Sequence, residues 1–137
     1  MRNLQEIAED IRSLLAETFR TIRFSTAEMT PQLLSEIKAM NESRLPAVVI
    51  VFGSGQIVEN ARKQMLKLTL VLIDRFVAGS DERAISAWTS LQTLMNLFPA
   101  DVTEMNGVFY LPVQFYNASG DPKYACFAFD VEAHQAI

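Results

Sequence analysis

One cysteine, one histidine and one tryptophan occur among 137 residues, and these scarcities exclude whole classes of chemistry. A single thiol, Cys126, cannot close an intrachain disulfide, so a reducing compartment is the simplest expectation. With His134 as the sole imidazole, a Ser-His-Asp relay has one way to form, and a zinc site would have to combine it with carboxylates. No apolar run reaches the length needed to cross a bilayer. Glu6, Glu9 and Asp10 stand where a secretory signal would need an apolar stretch, so the protein is expected to remain in the cell that makes it. On that expectation the Asn-x-Ser triplets at Asn41 and Asn117 carry no glycan. A basic stripe is also missing: the formal net charge is −4 and Lys and Arg are scattered, which argues against a nucleic-acid partner. No internal repeat or low-complexity segment is present.

What the chain does have is apolar side chains. Its length suits one domain, taken as residues 1–137, with one core. Half the residues are apolar and 20% are charged, which is rich for a surface left wholly in water. Some of that apolar surface is expected to meet another subunit.

Leu4, Ile7, Ile11, Leu14, Leu15, Thr18 and Ile22 recur at helical spacing and predict an amphipathic helix over about the first twenty residues. Thr30 and Pro31 form a helix start, and Leu33, Leu34, Ile37 and Met40 supply a short apolar face ending near Asn41. The run Pro46 to Phe52 reads as a buried strand closed by Gly53-Ser54-Gly55, with an exit loop to about residue 62. From Met65 the pattern alternates, with Leu66, Leu68, Leu70 and Leu72 on one face. Ser80, Asp81 and Glu82 open a helix whose buried stripe is read as Ala84, Ala87, Trp88, Leu91, Leu94, Met95 and Phe98, stopped by Pro99.

Two further alternating runs, Phe109 to Tyr116 and Ala125 to His134, flank a turn-rich stretch and predict a hairpin. Pro112 cannot donate to a ladder, so its strand is an edge, is bulged, or pairs there on one side only. The expected fold class is α+β, a mainly antiparallel four-stranded sheet with two to three helices packed on one face.

Tests for chemistry return little. Asp130, Glu132 and His134 share one face of the last strand, where a carboxylate pair or hard-metal site is conceivable, yet strand alternation alone produces the pattern. His134 lies three residues from the C-terminus, where fraying would spoil preorganisation. Glu9 with Asp10, and Asp81 with Glu82, diverge around helices. Gly53-Ser54-Gly55 suggests a phosphate loop, but Val58 replaces the third glycine of the dinucleotide fingerprint and no Gly-Lys-Ser/Thr follows, so an inter-strand turn is the better reading. Arg62 and Lys63 are ordinary loop cations. No catalytic, cofactor-binding or metal-ligating residue is assigned, no cofactor is expected, and the chain is read as not an enzyme.

The leading amphipathic helix, the stretch Leu45-Pro46-Ala47-Val48-Val49-Ile50-Val51-Phe52, a polar loop, Leu68-Thr69-Leu70-Val71-Leu72-Ile73, one helix and a closing hairpin together resemble the tail terminator proteins of Mu-like tailed phages and prophages. These are related in fold to the lambda-type tail terminator. The resemblance spans nearly the whole chain and rests on element order, length and the Leu-Pro-Ala-Val strand. The segment Thr30 to Met40 departs from it, since a shorter connection is expected there. The resemblance implies a virion-tail protein assembled in the bacterial host cytoplasm. It implies a homo-oligomeric ring, usually a hexamer, that caps the tail tube, ends its polymerisation and offers a surface to the head connector. Its partners would be itself, tail-tube proteins and head-connector proteins, with no nucleic acid and no membrane. An adaptor subunit of another contractile or secretion machine is compatible with the same residues. The alternative is a small dimeric α+β enzyme or ligand-binding module with an interface site built on Asp130, Glu132 and His134.

Overall fold

A computed structural model describes residues 1–25, 35, 39, 44–75, 81–99, 103–118 and 124–137. Helix α1 spans Leu4–Ala16. Asn3 caps it: its side chain accepts from the Glu6 amide at 2.8 Å while the Glu6 carboxylate accepts from the Asn3 amide at 3.1 Å. This reciprocal box satisfies two amides that the first turn leaves without partners. Six strands follow in one sheet: β1 (Thr21–Ser25), β2 (Ala47–Val58), β3 (Lys63–Arg75), β4 (Thr103–Met105), β5 (Val108–Asn117) and β6 (Tyr124–Ala136). Helix α2, Asp81–Asn96, lies between β3 and β4 in the chain. The spatial order is β1-β2-β3-β6-β5-β4. β1 runs parallel to β2, and every other pairing is antiparallel.

The expected four-stranded antiparallel sheet is therefore corrected to a mixed six-stranded one. The two unforeseen strands are its short edges. Ile22, counted with the first helix, lies in β1: the helix stops at Ala16, and the β-branched and aromatic stretch Thr-Ile-Arg-Phe is taken up by the sheet instead. β4 and β5 meet in a two-residue turn, Asn106-Gly107, with φ of 54° and 84°, the left-handed pair that suits a hairpin's twist. The helix expected over residues 30–41 lies outside the described residues apart from Ser35 and Ala39, where the Ala39 amide donates to the Ser35 carbonyl at 3.1 Å.

Gly53-Ser54-Gly55 is neither a turn nor a phosphate loop. β2 continues to Val58, and its register slips between Phe52 and Ser54, a bulge at Gly53. A Cβ at Gly53 would stand 3.1 Å from the Lys67 carbonyl oxygen, which explains the glycine there. A second bulge, at Val113, separates Pro112 from Gln114 in β5.

Both described helices pack on the face of the sheet that carries Leu66, Leu70 and Leu72. There Ile7, Ile11 and Leu15 of α1 and Leu91 and Leu94 of α2 join Val48, Tyr110, Phe129 and Val131 in the main core. Phe98 stands edge-on to Tyr110 and Phe129 at centroid separations of 6.1 and 5.9 Å, a favoured aromatic geometry. A smaller cluster on the opposite face gathers Ala47, Val49, Val51, Val71 and Ile73. The C-terminal strand is no fraying end: β6 pairs with β3 along its whole length and with β5 from Phe127 to His134, and the Ile137 amide donates to the Arg62 carbonyl at 2.8 Å.

Candidate functional site

Two concave regions flank the bulged strand β5. On the sheet face opposite the helices, the bulges at Gly53 and Val113 bracket a groove of about 270 Å³ floored by β3 and β6. Its polar lining includes Ser54, Lys67, Thr69, Gln114, Asp130 and Glu132. The strand period places Asp130, Glu132 and His134 on this face as read from sequence, but the side chains do not converge. The Asp130 carboxylate accepts from Thr69 Oγ1 and from Gln114 Nε2, each at 2.7 Å. Glu132 Oε1 lies 3.2 Å from His134 Nε2. Asp130 is thus held by neutral donors from β3 and β5, and Glu132 is paired along its own strand. Among the described residues no three His, Cys, Asp or Glu side chains group closely enough to hold a metal ion. Cys126 is half-buried, and burial pushes its thiol pKa up, away from the reactive thiolate.

The second region is apolar and lies between α2 and β5. Trp88, Leu91, Met95, Phe115 and Phe127 line one groove of about 360 Å³. A neighbouring groove of about 500 Å³ shares Met95 and Phe115 and adds Phe98, Pro112 and Val113. Trp88, expected on the buried stripe of its helix, is 60% exposed, and Phe115 and Val113 are 55% and 54% exposed. This is a correction with a visible cause. Leu91 and Leu94 seat α2 on β3 and β6, which leaves Trp88 beside the sheet edge, and the bulge at Val113 changes which residues of β5 face the core. Sequence reasoning missed this surface because helical period 3.6 and strand period 2 identify apolar faces but not which part of a face another element covers.

At the other end of the core, Arg2 bridges Glu6 at 2.9 Å and Asp10 at 2.6 Å. Gln135 accepts from the Arg2 amide at 3.0 Å and donates to its carbonyl at 2.8 Å. These bonds tie the N-terminus to β6 and have a structural role.

Among the described residues no helix is long and apolar enough to cross a membrane. No protein-family model matches the chain, and no curated protein matches its sequence.

Proposed function

We propose that this protein is a structural subunit that assembles with copies of itself into a ring, and that the ring caps a phage tail tube, ends its polymerisation and presents a head-joining surface. The observation that carries the assembly part is the exposed apolar surface around the α2–β5 groove. Trp88 and Phe115 line one groove and Val113 and Phe115 its neighbour, all three more than half exposed, and exposed apolar surface of this kind marks interaction sites. The tail-capping part rests on the sequence alone, where the order of elements as read there and the stretch Leu45–Phe52 resemble tail terminators. The competing ligand-site reading needs Asp130, Glu132 and His134 to converge, whereas the first is bonded to Thr69 and Gln114 and the other two face each other.

The test is the solution mass by light scattering across a concentration series, with particle imaging of any large species and addition of purified tail tubes. A ring of about six subunits, or one that forms when tubes are added, is the expected result. A protein that stays monomeric or dimeric and does not bind tubes sinks the proposal.

A further inference from the structure

Asn106 is the one asparagine of the chain that is followed by glycine. It stands exposed in the two-residue turn between β4 and β5, where both it and Gly107 have positive φ. Asparagine is among the thermally labile residues. The main-chain nitrogen of the next residue can attack its side-chain carbonyl carbon, and a following glycine, having no Cβ, hinders that attack least. Among the described residues no atom lies within 4 Å of where a Cβ would stand on Gly107, so the approach is open.

The surroundings add a base and make the product matter. The Gly107 amide donates to Glu104 Oε1 at 2.5 Å, which sets a carboxylate on the proton that the attacking nitrogen must lose. The Asn106 side chain donates from Nδ2 to Asp10 Oδ1 at 3.2 Å. Asp10 also holds Arg2, accepting from Nε at 3.0 Å and from Nη2 at 2.6 Å, while Arg2 Nη1 donates to Glu6. The turn therefore touches the same carboxylate that anchors the N-terminus beside α1.

We propose that Asn106-Gly107 is a self-modifying site that deamidates within the folded chain. The Gly107 nitrogen bonds to Cγ of Asn106, its proton passes to Glu104 and on to Nδ2, and the Cγ–Nδ2 bond breaks to release ammonia and leave a cyclic imide. Water then opens the ring. Cleavage of the new nitrogen–Cγ bond gives aspartate at position 106, and cleavage of the original peptide bond gives isoaspartate, with the main chain running through the side chain.

Either product carries a negative charge where Asn106 now offers a donor. That charge faces Asp10, a like-charge contact, and the Arg2 guanidinium that would offset it is already engaged by Glu6 and Asp10. The isoaspartyl product also lengthens the main chain by a methylene inside a turn whose geometry is matched to strand twist. It thereby releases β4, three residues long and last in the sheet order. Modification loosens the β4–β5 hairpin and its tie to α1 together, and does so whether or not the chain assembles.

The full chain is incubated at mildly alkaline pH and followed by peptide mass mapping, with isoaspartate separated from aspartate by chromatography. Conversion at position 106 to both forms is expected, with Asn60 lagging, since that residue is exposed in the β2–β3 turn but followed by alanine. Gly107→Ala should halt the conversion and Glu104→Gln should slow it. A chain that stays unmodified at position 106, or converts there no faster than at Asn60, overturns the site, and a Glu104→Gln protein that converts at the parent rate overturns the assignment of the base. The consequence is read separately on Asn106→Asp, which should lower the urea midpoint at neutral pH, and by less at high salt or in an Asp10→Asn background. A midpoint equal to the parent's overturns the charge conflict.

Discussion

Apolar residues in the two halves of β5 meet different fates. Val108 and Tyr110 are fully buried and flanked by β4, with Tyr110 edge-on to Phe98, while Val113 and Phe115, a few residues on, are more than half exposed. The bulge at Val113 and the shortness of β4 divide the strand. Val108 and Tyr110 of the first half belong to the core, and Val113 and Phe115 of the second form the kind of exposed apolar surface that association would bury.

The sharpest way to break this comparison is to truncate one aromatic residue in each environment. Phe98→Ala, which empties a site shared with Tyr110 and Phe129, should cost about 3–5 kcal/mol in urea unfolding. Phe115→Ala should cost the monomer less than about 0.5 kcal/mol, while lowering the oligomer's mass. Comparable losses for the two would mean that the outer half of β5 is core after all.

A smaller effect is expected at the turn that sets up the division. Gly107→Ala places a Cβ at a φ of 84° and should cost about 1–2 kcal/mol. The sign of the change in thermal midpoint checks it, and a neutral or stabilising result would mean that the Asn106-Gly107 hairpin contributes nothing to the buried half.

The smallest change is Tyr110→Phe. Its hydroxyl is buried without a hydrogen-bond partner among the described residues, so its removal should leave stability at pH 7 within about 1 kcal/mol of the parent, or raise it. Burial first, and the nearby Asp10 carboxylate second, push the Tyr110 pKa above its ordinary 10.0. The folded state therefore keeps a proton that the unfolded state releases, and stability falls as pH rises past that ordinary value. Urea midpoints at neutral and alkaline pH, compared between parent and Tyr110→Phe, should show a shallower alkaline decline in the variant. Equal declines would locate the titration elsewhere.

Much of the sheet was legible before any coordinates. The Leu66–Leu72 alternation, the run after Pro46, the hairpin at 109–134 and the irregularity at Pro112 all follow from side-chain period and proline's missing donor. Asn106-Gly107 is a strong hairpin signal that could have disclosed β4. β1 was harder, since Thr18 and Ile22 continue the helical spacing of α1 and nothing local marks Glu17 as its end. Gly53 misled in the other direction, because glycine marks a turn and a bulge equally well until the partner strand is known. The candidate residues Asp130, Glu132 and His134 were placed correctly on one face, but their bonds to Thr69, to Gln114 and to each other depend on neighbouring strands and rotamers.

By itself, then, the sequence determined the apolar surplus, the supply of a single histidine and a single cysteine, and the alternation that makes each long strand two-faced, because these depend on composition and local period. Only the tertiary structure decided which apolar residues are core and which are left in water. Burial depends on where α2 seats, how far β1 and β4 reach along their neighbours, and where a single bulge shifts the register, and none of these is a local property of the chain.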